Sequence, residues 1–286
     1  MKTKRILITI IIILLLIHFS RQINDYAVEF MANQQEKDEN GLIIGAYPYK
    51  MDRNPDTTIL LVHGFTSSPK DFKDMAYYLS EKNISVNAIL LPGHGTTPKD
   101  LKNIKYQSWT SKLNNEIEKI NSKNKFVLGY SLGGTLALDL AEDEELNGII
   151  TINAPIFLEK SRYLPFVPLL KTVETYHVAP PESIIVAINK DRITYGAFPL
   201  SAISELLNLV EQLNPNSVTE PALIIQTKND TIVNPESANY IYNHISSKDK
   251  ELIWLTESTH ENPHKQEQEE IFEEIYKFIQ KNSKLL

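Results

Sequence analysis

Ser131 stands between two glycines in "KFVLGYSLGG" (125–134), at the end of an apolar run and ahead of a helix-forming segment, in a chain with only ten glycines among 286 residues. A Gly-x-Ser-x-Gly spacing in that context is the spacing of a nucleophile elbow, where a strand ends, turns sharply and becomes a helix. Serine at the apex is held in a strained conformation, and Gly129 and Gly133 present no Cβ to the returning backbone. The plainer reading of the same letters is a glycine-rich turn with a capping serine.

A serine hydroxyl is a weak nucleophile, so it needs a base to take its proton and an acid to orient that base. After an elbow of this kind the acid and then the histidine follow in the chain. In "ALIIQTKNDTIVNPESA" Asp230 comes just after an apolar run and before a helix start at Asn234-Pro235, and in "ELIWLTESTHENPH" His260 comes just after the last such run. Both fall at C-terminal strand edges, as Ser131 does, where an open parallel sheet carries its site. His260 is the expected base and Asp230 the expected acid. Among the rivals, His264 falls in or beside the final helix, His177 lies in an insertion, His244 ends a helix, and His63 and His94 precede the serine. Asp191 belongs to the insertion, and Glu257 is only three residues from the histidine it would orient. Taken alone, His260 reads as a structural histidine and Asp230 as a surface turn residue.

The fourth requirement is a pair of donors for a developing oxyanion. "LLVHGFTSSP" (60–69) ends an apolar run in His63-Gly64-Phe65, and the backbone N–H groups of Phe65 and Leu132 are the expected donors. Each such amide lowers the barrier by ~3–4 kcal/mol. A tight turn at Gly64 is the plain alternative and is compatible with this role.

The elements that must position these residues are legible as short apolar runs alternating with amphipathic segments. The runs are "TTILLV" (57–62), "SVNAILL" (85–91), "KFVLG" (125–129), "GIITIN" (148–153), "ALIIQT" (222–227) and "ELIWLT" (251–256). They lack in/out alternation, as strands covered on both faces do. Phe72, Met75, Ala76 and Leu79 mark one helix, with Ser68 as its N-cap and Pro69 in its first turn; Ile271, Phe272, Ile275, Phe278 and Ile279 mark a closing helix. A first short strand is expected near Leu42–Ala46. The pattern predicts an α/β class fold with a doubly wound, mostly parallel sheet.

Residues 155 to about 215 interrupt the rhythm with prolines and aromatics, as in "RYLPFVPLLKTVETYHVAPPES". They read as an inserted cap or lid over the strand ends, with Tyr163, Leu164, Phe166, Val167 and Leu169 as the expected apolar substrate-binding residues. Ordinary variable packing is the alternative at each of these positions.

A net charge of −7 with dispersed lysines leaves no basic stripe for nucleic acid. The absence of cysteine removes disulfides, thiolate metal sites and a cysteine nucleophile. At the N-terminus Lys2, Lys4 and Arg5 precede an apolar run from Ile6 to Phe19, and no small-residue cleavage site follows directly. Residues 1–22 are therefore expected to be a retained signal-anchor that leaves the following chain outside the cell membrane, with 23–56 as stalk and lead-in strand and 57–286 as the α/β domain with its inserted cap at about 155–215. Fourteen residues reach only about 21 Å of a ~30 Å hydrocarbon core, which keeps a cleaved signal and a secreted protein open.

With these residues in place, the sequence resembles the α/β-hydrolase superfamily, and within it the bacterial carboxylesterases and monoacylglycerol lipases. The matching stretches are "LLVHGFTSSP", "LPGHGTTP" (91–98), "GYSLGG", "NAP" (153–155), "QTKNDTIVNPESANYIYNHI" (226–245) and "ESTH" (257–260). The resemblance implies Ser131 as nucleophile, Asp230 as acid, His260 as base, and Phe65 and Leu132 as oxyanion donors, in agreement with the spacing. The expected activity is hydrolysis of short- to medium-chain esters or monoacylglycerols through an acyl-serine, by a monomer that needs no metal or organic cofactor. An acyltransferase or thioesterase on the same residues, and a non-catalytic surface protein on a hydrolase scaffold, are the alternatives. The hydrophobic N-terminus departs from the soluble, intracellular relatives.

Overall fold

The computed structural model describes residues 2–53, 55–159, 167, 169–170, 175–179, 192–260 and 264–284. In chain order these form helix α1 (Lys2–Ala32), strands β1 (Tyr49–Met51) and β2 (Thr57–Val62), helix α2 (Lys73–Glu81), β3 (Ser85–Ile89), α3 (Pro98–Leu101), α4 (Tyr106–Glu118), β4 (Asn124–Tyr130), α5 (Leu132–Leu140) and β5 (Gly148–Ile152). Then follow β6 (Tyr176–Val178), β7 (Ala197–Pro199), α6 (Leu200–Gln212), β8 (Ala222–Thr227), α7 (Glu236–His244), β9 (Lys250–Leu255) and α8 (Lys265–Asn282). Six of the seven sheet strands are the six apolar runs.

The sheet order is β1-β3-β2-β4-β5-β8-β9, with β1 antiparallel to β3 and every other pairing parallel. Alternate residues of one strand reach opposite cores. Leu60, Val62, Val127, Ile149 and Ile224 pack with Trp109, Leu113, Leu136 and Leu209 on one face, while Ile59, Leu61, Phe126, Leu128 and Ile150 pack with Met75, Leu79, Ile275 and Phe278 on the other. Both faces are dry, which is why the strands carry no polar alternation.

Four local features differ from the sequence-based expectation. The first strand is at Tyr49–Met51; Leu42–Ala46 is a turn in which Ile43 makes a single bridge to Lys37. Its backbone is held elsewhere, since the Ile43 N–H donates to the Gly95 carbonyl at 2.8 Å and the Ile43 and Ala46 side chains join the core. Ser68 precedes a 3-10 turn (Pro69–Phe72) without a capping hydrogen bond, and Ser67 instead donates its hydroxyl to Asp71 at 2.5 Å. Helix α1 runs past residue 22 to Ala32, so the lead-in begins as helix rather than stalk. Within 155–215, Ala202, Leu206 and Leu209 of α6 lie in the main core, which makes that helix part of the domain body. Ahead of it, β6 and β7 form a separate antiparallel hairpin in the register Tyr176–Pro199, His177–Phe198 and Val178–Ala197.

Candidate active site

The chain turns at Ser131 between β4 and α5 with φ 51° and ψ −121°, a backbone region that non-glycine residues rarely enter. The strain is held in place by hydrogen bonds, because the Ser131 N–H donates to the Ile152 carbonyl at 2.8 Å and the Ser131 carbonyl accepts from Gly134 at 2.7 Å. A Cβ on Gly129 would lie 1.9 Å from the Gly133 carbonyl oxygen, and one on Gly133 would lie 2.0 Å from that of Val62. No larger residue fits at either place while the backbone keeps this path.

The loops after β8 and β9 bring the other two residues to this turn. Nδ1 of His260 is 2.7 Å from Oδ2 of Asp230, and Nε2 is 3.2 Å from Oγ of Ser131. A carboxylate only accepts, so the proton sits on Nδ1 and Nε2 is left to accept from the serine hydroxyl. Asp230 is fixed at its other oxygen, where Oδ1 accepts the N–H groups of Ile232 at 2.9 Å and Val233 at 2.8 Å, and its side chain is wholly buried. Its loop is locked by its own side chain, as aspartate does in a tight turn. The Tyr130 ring lies 5.6 Å from that of His260, tilted by 48°.

The loop that carries His260 has a further support that no motif in the sequence marks. Glu267, in the first turn of α8, accepts the N–H groups of Thr256 at 2.6 Å, Glu257 at 3.0 Å and Ser258 at 2.8 Å, together with the Ser258 hydroxyl at 2.6 Å. Partial burial opposes its ionisation, yet the donors from Ser258, Glu257 and Thr256 outweigh it and hold the carboxyl at about 2. Gln226, whose amide lies 3.4 Å from Asp230 Oδ2, and Asn153, which accepts the Thr227 N–H at 2.8 Å, were missed as well. Glu267 carried one usable signal, an acid in the first turn of a helix directly after the histidine loop.

Leu132 directly follows Ser131 in the chain, and Phe65 follows Gly64 in the loop after β2. Leu132 opens α5, so its N–H is one of the first-turn donors that lack an intrahelical acceptor. The position before Phe65 packs on Ser131 itself: a Cβ built on Gly64 would touch that of Ser131 at 3.3 Å. Behind this loop His63 and His94 are buried with ring centroids 5.0 Å apart, and burial pulls their pKa values down to about 4 and about 3. Both imidazoles are neutral.

The rival residues lie elsewhere. His264 caps α8 and donates its N–H to Ser258, His244 stacks on Tyr240, His177 sits on β6 beside Phe198, and Asp191 is outside the described residues. Of the expected substrate-binding residues, Tyr163, Leu164 and Phe166 are outside the described residues; Val167 is buried and Leu169 is 63 % exposed. Among the described residues no group of three His, Asp or Glu side chains is arranged to hold a metal ion.

Residues 53–267 match the family model described as "Serine aminopeptidase, S33". The chain is 27 % identical to a carboxylesterase of Bacillus subtilis (strain 168) over 79 % of its length and 93 % of that protein's. It is 28 % identical to a thermostable monoacylglycerol lipase of Bacillus sp. (strain H-257) over 85 % of its length and 97 % of the other's. Among solved structures, a metagenome-derived lipolytic enzyme aligns with TM-score 0.68 and 28 % identity over 84 % of this chain and 99 % of that one. The Paleococcus ferrophilus monoacylglycerol lipase shares the fold, with TM-score 0.71 at 18 % identity over 83 % of this chain and 99 % of that one. The chain belongs to the serine aminopeptidase S33 family and is a serine hydrolase of the α/β-hydrolase fold.

Proposed function

We propose that this protein hydrolyses carboxylic esters through an acyl-serine, with Ser131 as nucleophile, His260 as general base and Asp230 as the acid that orients it. The observation that carries the reading is the position of His260, whose two ring nitrogens lie within hydrogen-bond reach of Ser131 and Asp230 at once. Ser131 Oγ attacks the ester carbonyl carbon while His260 Nε2 takes the hydroxyl proton; the imidazolium then gives that proton to the departing alcohol. Water enters, loses a proton to the same nitrogen, and attacks the acyl carbon; the proton returns to Ser131 Oγ as the acid leaves. Asp230 stabilises the imidazolium without taking its proton. The Phe65 and Leu132 amides receive the oxyanion of both tetrahedral intermediates, each worth ~3–4 kcal/mol of barrier.

The relatives are named a carboxylesterase and a monoacylglycerol lipase, and short- to medium-chain acyl esters or monoacylglycerols are accordingly the proposed substrates. Helix α1 anchors the chain in the cell membrane with the hydrolase domain outside. Its support is a segment of mean hydropathy 2.3, none of it buried, behind a basic N-terminus. The test is p-nitrophenyl ester turnover: Ser131→Ala that melts like the parent should lose activity by at least about 10⁴-fold, and retained turnover removes Ser131 from the role.

A further inference from the structure

The N-terminal helix is not attached to the domain by a loose tether. Five residues beyond the apolar run, the Asn24 side chain clamps one residue of the cap hairpin: its Nδ2 donates to the Tyr176 carbonyl at 3.0 Å and its Oδ1 accepts the Tyr176 N–H at 2.8 Å. One turn on, Val28 is buried against Tyr176 and Ala197, with Met31 beside them. Asn24, Val28 and Met31 recur at i, i+4 and i+7, so a single helix face makes the joint. Past the helix, Gln35 donates to the Thr194 carbonyl at 3.3 Å.

From this joint the path to the nucleophile is short. His177 and Phe198 are paired across the hairpin, and the Phe198 ring meets Phe65 edge-on at 5.5 Å. The same return segment holds the loop after Phe65, where the Tyr195 N–H donates to the Thr66 carbonyl at 3.2 Å.

Large apolar side chains continue on the outward side of α1 through the joint, where Phe19, Ile23, Tyr26 and Phe30 are all more than half exposed among Gln22 and Glu29. Phe19 and Asn24 are separated by about 7.5 Å along the helix axis, the depth of one headgroup layer outside a ~30 Å hydrocarbon core. Arg21 and Tyr26 fall within or beside that layer, as interfacial residues do. Val178, two residues on from Tyr176 in β6 and paired with Ala197, is 42 % exposed.

We propose that α1 is a docking arm: Asn24 and Val28 hold the cap hairpin at the headgroup level of the bilayer that carries residues 6–19, so that the ester is drawn from the lipid surface into the site. This rests on the anchor and ester-hydrolase readings above. The partner is the bilayer, because the segment continuous with the joint is apolar on every side and has a basic end.

The absence of cysteine allows a clean test. The full chain, carrying an environment-sensitive fluorophore at Val178→Cys or at exposed Asn121→Cys, ahead of the N-terminal end of central strand β4, is placed in phosphatidylcholine–phosphatidylglycerol vesicles containing a headgroup nitroxide lipid. Quenching at 178 should exceed that at 121 by several-fold, and Asn24→Leu with Val28→Asp should bring the two together. That double variant should keep soluble p-nitrophenyl butyrate turnover within about twofold and lose at least about fivefold on monoacylglycerol presented in vesicles. Equal quenching at 178 and 121 in the parent, full vesicle turnover in the undocked variant, or a mature chain that lacks residues 1–22 by intact mass would each overturn the docking. The quenching in the parent needs no variant to fold, and a parent that docks but cleaves neither ester would fail the ester reading alone.

Discussion

His63 Nε2 accepts the Leu91 N–H at 3.1 Å, which ties the end of β2 to the chain just past β3 behind the Gly64–Phe65 loop. Its Nδ1 lies 2.8 Å from the Gly64 carbonyl and donates to it, so both ring nitrogens are used by the neutral form.

A pH dependence of stability follows. Burial lowers His63 to about 4, and burial together with the neighbouring His63 lowers His94 to about 3. Above an unfolded value near 6.5 both states are neutral and stability is complete; below it the unfolded chain binds protons that the folded chain refuses, so stability falls with pH. By about pH 5 each histidine should have cost on the order of 2 kcal/mol. Urea unfolding at two pH values checks this, with His94→Phe expected to lose less on acidification than the parent. Equal losses would contradict the assignment.

The elbow should tolerate no methyl group. Gly133→Ala places a Cβ on the Val62 carbonyl, and overpacking of this kind costs about 1–3 kcal/mol or more. A domain of this size then melts roughly 2–4 °C lower for each kcal/mol. Scanning calorimetry of Gly133→Ala beside a substitution at an exposed site reads the difference, and an unchanged melting temperature would show that the backbone can yield here.

Asp230→Asn should leave the fold intact and reduce kcat by about 10⁴-fold, because an amide can donate to Nδ1 and select the wrong tautomer. Ser131→Ala combined with His260→Ala should be no slower than either alone, since the residues act as one unit. Multiplicative losses would mean that they act separately.

Glu267→Ala should spare the melting temperature more than the turnover. It releases three backbone N–H groups of the segment leading to His260, and a misplacement of about 1 Å can cost as much as 100-fold in rate. The expected loss is in kcat, with KM little changed; an effect confined to KM would place Glu267 in substrate binding instead.

The sheet was legible because both of its faces are buried: Ile59 and Leu60 face opposite cores, and an unbroken apolar run is the result. Ser131 was legible through glycines whose Cβ positions are occupied by backbone, and Asp230 and His260 through their places after strands. The β6–β7 hairpin was not, because three-residue strands have too little length for periodicity and their partner in α1 is 152 residues away along the chain. Leu42–Ala46 misled for a related reason, since its apolar residues are buried by a turn rather than a ladder. Glu267 was legible only through its place in the first turn of α8, because three of its partners are backbone amides, which leave no trace in side-chain spacing.

Reaction of the folded full-length chain with a fluorophosphonate, followed by peptide mass spectrometry and residual ester turnover, tests the central claim most directly. The account predicts one adduct per chain on the peptide containing Ser131, with activity lost in proportion to labelling and no labelling of His260→Ala on the same timescale. An adduct on another serine that removes activity, or full turnover by a chain completely modified at Ser131, would contradict it.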